Sequence, residues 1–406
     1  MEGDRLDSAR GWWVTGAATV STFTVFGVAY SFGAFFESMA DEFDAGSGAT
    51  ALVFSITISM SFLLGSFTGR WADRFGPRPV LLLGAASLAA GLLATTLVPN
   101  LLLGYLTYGV GVGLAVACGY VPMVSTVGGW FDRQRPIALG VAVAGIGLGT
   151  LIGSPIAAAL IDATTWRTTF VVFALVGAAL LVGVSFVARL GPAAVSAAKP
   201  RSLTELLRIR DFAVLYGSSL MVTFGLFVPF VFLATYAEDE GIGEVAAAAL
   251  IGIIGGSSIV GRLGLGALAA RLGTIRLYRI CFLVMALSHP IWFLAGGSHA
   301  LLVVYAVTLG VGYGGFIAVS PAVAAERFGL EGLGGVLGTL YTSAAIGSLF
   351  GPPIAGILID EAGYGTAIGF ATVTSLTGWV LLLRLGDPDG GAPPVEPTVE
   401  HEGGTR

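Results

Sequence analysis

Ten stretches between Gly11 and Leu383 contain no Asp, Glu, Lys or Arg: Gly11–Phe36, Ala45–Gly69, Pro79–Phe131, Pro136–Ile161, Thr168–Ala188, Phe212–Ala237, Val245–Gly261, Ile280–Ala325, Gly332–Ile359 and Ala362–Leu383. A helix needs about 20 mostly apolar residues to cross a bilayer, and nearly every stretch has that length. Two are long enough for a pair of crossings; Pro99-Asn100 divides the first and Gly296-Gly297-Ser298-His299 the second. The seventeen residues Val245–Gly261 make a full crossing only if Arg262 enters the membrane behind them, with the helix running on to about Ala270. The pattern predicts an all-α integral membrane protein of twelve transmembrane helices. Charge agrees: 11% of residues are Asp, Glu, Lys or Arg, where a soluble domain carries about 25%.

The remaining charges alternate in sign from one connection to the next. Basic residues collect after the second span (Arg70, Arg74, Arg78), the fourth (Arg133, Arg135) and the eighth (Arg271, Arg276, Arg279). The longest connection, between spans six and seven, adds Arg189, Lys199, Arg201, Arg208 and Arg210. The opposite connections are acidic: Asp41, Glu42 and Asp44, then Glu238, Asp239, Glu240 and Glu244, then Asp360 and Glu361, with Arg167 the one clear exception. Lys and Arg favour the cytoplasmic side. The expectation is therefore a multi-pass protein of the plasma membrane with both termini in the cytoplasm.

The chain also repeats itself. Gly149, Gly153, Pro155 and Asp162 recur 198 residues later as Gly347, Gly351, Pro353 and Asp360, and Phe26-Gly27 recurs as Phe224-Gly225. Two six-helix halves follow, residues 11–190 and 211–386. Residues 191–210 would form a cytoplasmic linker, and the Pro-, Gly- and Glu-rich residues 387–406 a disordered acidic tail. Parallel repeats of this kind place a substrate site near the midplane between the halves, reached by rocking one against the other.

Arg262 would lie in that region. The next charge downstream, Arg271, is nine residues on, about 13 Å along a helix. A cation at such depth costs at least roughly 3 kcal/mol and faces a bundle interior or a watery cavity. Its helical neighbours Gly255, Ser258, Ile259, Leu265 and Gly266 form a small, partly polar face. Binding an anion is the expected role. The alternative is a structural arginine tied to backbone carbonyls.

Gly69, Asp73, Arg74, Gly76 and Arg78 stand at the turn between spans two and three. Their spacing resembles the signature loop of the major facilitator superfamily, G-x-x-x-D-R-x-G-x-R. The second half carries it as Gly266, Arg271 and Gly273, with Ala270 in place of the acid. The resemblance implies gating for Gly69, Asp73, Arg74, Arg78 and Arg271. Gly11-Trp12, Tyr30 to Phe36, Trp130-Phe131 with Arg133 and Arg135, Tyr236 to Gly241, and Gly261-Arg262 are similar to one branch, the monocarboxylate transporters and oxalate–formate exchangers.

In that branch the arginine of span eight is taken to pair with the substrate carboxylate, and Arg262 matches it. The planar guanidinium suits this, since its fork binds a carboxylate bidentately. The resemblance also implies cavity-facing tyrosines and small polar groups, for which Tyr120, Tyr30 and Tyr313 are the candidates, with Ser258 and Ser320 behind them. Oxalate exchangers have a second cation in span eleven, and the stretch Tyr341–Gly347 has none. One buried cation neutralises one carboxylate, and a second would stay unpaired at a cost of several kcal/mol.

The expected function is secondary active transport of a small monocarboxylate, lactate- or pyruvate-like, by alternating access, coupled to protons or to exchange. Asp239, at the outer end of span seven, is the proton-coupling candidate. The alternatives are an efflux carrier of drug-like or other organic solutes, or a formate/oxalate-type exchanger. With three histidines and two cysteines, both cysteines inside apolar spans, no metal cluster, catalytic constellation or cofactor is expected. The expected partners are a small organic carboxylate anion, protons where transport is coupled to them, and membrane lipid; no nucleic acid is expected, and a monomer would suffice. His289 reads as a packing or lipid-facing residue.

Overall fold

A computed structural model describes residues 5–192, 203–329 and 333–386. Residues 193–202 of the expected linker and the whole of the tail 387–406 lie outside these.

Among the described residues, twelve helices are long and apolar enough to cross a membrane. We number them α1 (Ala9–Glu42), α2 (Ser47–Phe75), α3 (Pro77–Thr95), α4 (Leu101–Gly128), α5 (Arg135–Ala163) and α6 (Trp166–Ser185) in the first half. The second half holds α7 (Arg210–Asp239), α8 (Glu244–Leu265), α9 (Thr274–Ala295), α10 (His299–Phe328), α11 (Gly335–Ala362) and α12 (Tyr364–Leu382). The helical turn Gly266–Leu272 continues α8. Both long apolar stretches divide where the sequence marks them. The Asn100 side chain caps the start of α4 by accepting from the Leu103 N–H at 3.1 Å. Gly296 ends α9 in the left-handed region, φ 47°. The signature turns also repeat: Gly76 and Gly273 sit at φ 86° and 83°, a conformation that only glycine adopts without strain.

Within each half the repeat is a packing device. A Cβ at Gly149 or Gly153 of α5 would strike the backbone of α1 at Phe23 and Gly27, and one at Gly347 or Gly351 of α11 would strike α7 at Thr223 and Phe224. Small residues let the backbones approach, which drives helix association where lipid tails are as apolar as leucine. Between the halves the contacts obey the same symmetry: α5 packs on α8 and α2 on α11. Gly147 and Gly255 meet in the first pair, and Gly48 meets Pro353 and Ile357 in the second. The Ser47 N–H donates to the Asp360 carboxylate at 2.9 Å, so the second crossing is joined at the acid-rich end.

Arg167, the exception in the charge pattern, is held there by specific partners. It donates to both oxygens of Glu42, one at 2.7 Å, and to the Thr96 carbonyl at 3.1 Å. Its guanidinium lies 4.3 Å from the centre of the Trp166 ring. These contacts tie the ends of α1, α3 and α6, so Arg167 serves packing at a rim that is otherwise acidic.

Candidate substrate site

At Gly261–Leu265 the α8 ladder widens into a π turn, with Arg262 its second residue. Such bulges are frequent at functional sites. A neighbour makes it possible: α10 presses against α8 so closely that a Cβ at Gly261 would meet the Val311 carbonyl, and one at Gly314 the Ser258 carbonyl.

Arg262 is 6% exposed, so it faces protein and not acyl chains. Its Nη1 donates to the Val143 carbonyl of α5, in the opposite half, at 2.7 Å. Its guanidinium carbon lies 5.7 Å from the centre of the Tyr313 ring. Among the described residues Nε and Nη2 are buried with no hydrogen bond of good geometry, and the Tyr313 hydroxyl lies close enough to the guanidinium to interact with it. One nitrogen is thus tied to a backbone carbonyl, and two have no such tie among the described residues. Nε and Nη2 form the side-on fork of the guanidinium, the edge that takes both oxygens of one carboxylate. Leaving such donors buried and unpaired costs about 1–3 kcal/mol each, more for a charged group.

The three tyrosines converge on this point. Tyr30 and Tyr313 share a hydroxyl–hydroxyl hydrogen bond of 3.1 Å across the two halves, and Tyr30 and Tyr120 lie within electrostatic reach of Arg262. Tyr30 is the last residue of α1 before a break at Ser31, and α7 breaks near the repeat-related position, at Phe227 before Pro229. Tyr120 stands at a break in α4 before Pro122, its ring edge-on to Phe26 at 5.3 Å. Broken helices with small or proline residues in corresponding places of two halves are where such folds bind substrate.

Other candidates stand elsewhere. The Ser258 hydroxyl donates to the Gly255 carbonyl of its own helix at 2.7 Å. Ser320 is buried and lies within reach of the Tyr278 hydroxyl. Asp239 is exposed at the acid-rich end, where it accepts from the Tyr364 hydroxyl at 2.9 Å. Asp73 is half-buried with no partner among the described residues, and Arg74, Arg78 and Arg271 are exposed. His289 is fully buried, 3.5 Å from the Tyr305 hydroxyl and 3.4 Å from that of Ser375, so it packs inside the second half. A shallow surface groove at Trp71 and Phe75 is lined by none of the residues around Arg262.

Three features are absent from the sequence reading. Phe230 of α7 packs on Tyr30 at 4.7 Å and on Tyr313 at 5.9 Å, closing an aromatic shell between the halves. The Val143 carbonyl is a backbone group, invisible to residue type. Glu37 of α1 and Glu238 of α7 come within hydrogen-bonding range across the halves. Glu37 stands one residue past a charge-free stretch and, in sequence, looks like a connecting acid.

The family model for the Major Facilitator Superfamily matches residues 18–298 and 263–402. Monocarboxylate transporter 3 of Rattus norvegicus is 33% identical over 87% of this chain and 75% of that protein. Monocarboxylate transporter 4 of the same species is 30% identical over 87% and 78%. The fold is similar to a bacterial homolog of the human lysosomal transporter Spinster in its inward-facing, unoccupied conformation, with a TM-score of 0.70 at 15% identity over 93% of this chain and 95% of that one. It is also similar to a D-xylose–proton symporter, with a TM-score of 0.72 at 13% identity over 94% and 99%.

Proposed function

This chain belongs to the major facilitator superfamily, within it to the monocarboxylate transporters, and from that premise we propose that it carries a small monocarboxylate across the plasma membrane by alternating access. The observation that carries the reading is Arg262: buried between the halves, with its side-on fork unpaired and tyrosine hydroxyls around it. A carboxylate would take Nε and Nη2 together. Tyr120, Tyr30 and Tyr313 would donate to the rest of a lactate- or pyruvate-sized anion, and Phe26 and Phe230 would hold its alkyl end. Among the described residues one guanidinium serves the site, which favours one carboxylate over two.

With the arginine-rich end in the cytoplasm, the joined ends of α2 and α11 lie outside, and the arrangement is one closed to the exterior. Asp73, Arg74 and Arg78 would act as a latch on the inner side in the other state. Two carboxyls within hydrogen-bonding range of each other can hold one proton between them, so we place the coupling of a proton to the crossing at Glu37 and Glu238 rather than at Asp239.

The test is uptake of labelled lactate, pyruvate, formate and oxalate into proteoliposomes, with and without a pH gradient. Monocarboxylate uptake should vanish in Arg262→Ala, and the gain from a pH gradient should fall in Glu37→Gln. Carboxylate uptake unchanged in Arg262→Ala refutes the assignment. Transport of neutral or cationic solutes indifferent to that change would instead mark an efflux carrier.

A further inference from the structure

The last turns of α2 carry an aromatic stripe that the transport cycle does not use and a basic one whose Arg74, a latch residue in the other state, is exposed in this one. Phe67, Trp71 and Phe75 recur every four residues, 55%, 51% and 62% exposed. Arg70 and Arg74 run beside them. The Arg70 guanidinium lies 4.8 Å from the Phe67 ring centre and that of Arg74 lies 5.1 Å from Phe75. Trp71 and Phe75 also form one wall of a shallow groove of about 230 Å³, closed on the other side by Pro79, Val80 and Leu83 of α3. Arg78 stands beside Pro79 at the start of α3, and its guanidinium lies over Phe186 at 4.8 Å.

The repeat supplies an internal control. The second half retains the glycines of this turn at Gly266 and Gly273, but Phe67, Trp71 and Phe75 have become Gly264, Leu268 and Leu272, and Arg70 has become Ala267. Arg74 is kept as Arg271 but Arg78 has become Ile275, so the fold needs the turn and one arginine, and not the aromatic stripe or the cluster of three cations. The arginines have no ion pair or hydrogen bond among the described residues, and Asp73, the one carboxylate in the stretch, is not paired with them. An apolar trough that opens at the membrane boundary, with cations at its mouth and no anion to meet them, matches one kind of occupant in shape and charge.

We propose that the groove between α2 and α3 binds an acidic phospholipid, one acyl chain lying along Trp71, Phe75 and Leu83 and the phosphate held by Arg74, with Arg70 and Arg78 beside it. Arginine binds phosphate by its planar fork, and basic pockets at the cytoplasmic face of membrane helices select anionic headgroups. Rings beneath the guanidiniums attract them and hold them in place at this surface. The site would distinguish acidic from zwitterionic lipid on the first half alone.

Trp71 reports on its own groove. Fluorescence quenching by brominated phosphatidylglycerol and by brominated phosphatidylcholine should be compared in proteoliposomes of the full chain, with Trp71→Phe used to isolate the Trp71 signal. Brominated phosphatidylglycerol should quench Trp71 preferentially. The preference should fall about fivefold for each arginine removed in Arg74→Gln and Arg78→Gln, persist in Arg74→Lys, and weaken in high salt. If a glutamine variant does not fold, the salt dependence of the wild type carries the same test. Equal quenching by the two lipids, or a preference indifferent to both salt and the glutamine variants, overturns the proposal.

Discussion

The hydroxyls of Tyr30 and Tyr313, 283 residues apart in the chain, lie 3.1 Å from each other at the meeting of the two halves. One ends the unbroken part of α1, and the other stands on the glycine-rich face of α10 that presses against α8. Any rocking of the halves must break this bond, and the same motion must pull the Val143 carbonyl from Arg262. Under the proposed function, substrate recognition and closure would use the same few groups.

Tyr30→Phe should weaken the closed arrangement without unfolding either half. A neutral hydrogen bond contributes about 1 kcal/mol net, which corresponds to roughly a fivefold change in the ratio of two states. Spin labels on the acid-rich ends of α2 and α11 should then show a larger share of long distances by double electron–electron resonance. Distance populations equal to those of the wild type would mean that the bond is incidental to closure.

Arg262→Ala separates a binding arginine from a structural one before any transport is measured. If Arg262 were a tie, its loss would lower thermal stability, because the Val143 contact would go. Two of its nitrogens are buried and unpaired, so removing the charge should leave the unliganded protein as stable as before or more so. Ligand should tell the opposite story. A monocarboxylate at a hundred times its dissociation constant stabilises the wild type by about 2.7 kcal/mol, and that shift should be absent in Arg262→Ala and reduced in Arg262→Lys. A marked drop in the melting temperature of unliganded Arg262→Ala, with the ligand shift intact, would contradict the site.

The scaffold was legible because its causes are local. Charge-free length predicts the twelve spans, Asn100 and Gly296 mark two helix ends, and the recurrence of Gly149 and Gly153 as Gly347 and Gly351 foretells two equivalent packings. Arg262 was legible for the same reason, as a cation too deep to reach water. The rest depends on tertiary geometry. Hydropathy does not register where a hydrogen-bond ladder slips, so the π turn at Gly261–Leu265 and the breaks at Ser31 and Phe227 leave no mark in the pattern. Ser258 stands one turn from Arg262, and sequence does not say where its hydroxyl goes: a serine in a helix can donate to its own backbone, and this one does. Phe230 is one phenylalanine among 25; only the break before it aims its ring at Tyr30.

Gly149→Ala and Gly255→Ala should fail in different ways although both are helical glycines in close contacts. The new methyl at residue 149 would press on α1 inside the first half, and no motion of the halves relieves it. Overpacking of this kind costs about 1–3 kcal/mol, so the melting temperature should fall. At residue 255 the methyl would come within 2.5 Å of the Thr150 Cβ and 2.8 Å of the Gly147 carbonyl, both across the interface. Parting the halves removes that clash. Gly255→Ala should keep its melting temperature and shift the label distances toward the open population; the same loss of stability in both variants would show that α5 and α8 do not separate.

Asp7 lies before the first span and turns the amino-terminal segment into a clasp. Its carboxylate accepts the backbone N–H groups of Asp132, Arg133 and Gln134 at 3.3, 3.2 and 3.1 Å, and its own N–H donates to the Trp130 carbonyl at 3.0 Å. Partial desolvation works to raise its pKa, but the three amide donors and the Arg133 charge outweigh it and hold the pKa below the ordinary carboxylate value. The sign follows from linkage: a depressed pKa means the clasp contributes fully above the unfolded carboxylate value and is lost as pH falls through the lower, folded one. Amide exchange at residues 132–134, corrected for its intrinsic pH dependence, should stay protected at neutral pH and lose protection only in acid. In Asp7→Asn, which keeps the side chain's shape but not its charge, the same amides should exchange faster at neutral pH, and their protection should no longer depend on pH. Protection in Asp7→Asn equal to the wild type across that range would assign the order of this connection to Trp130 and α5 alone.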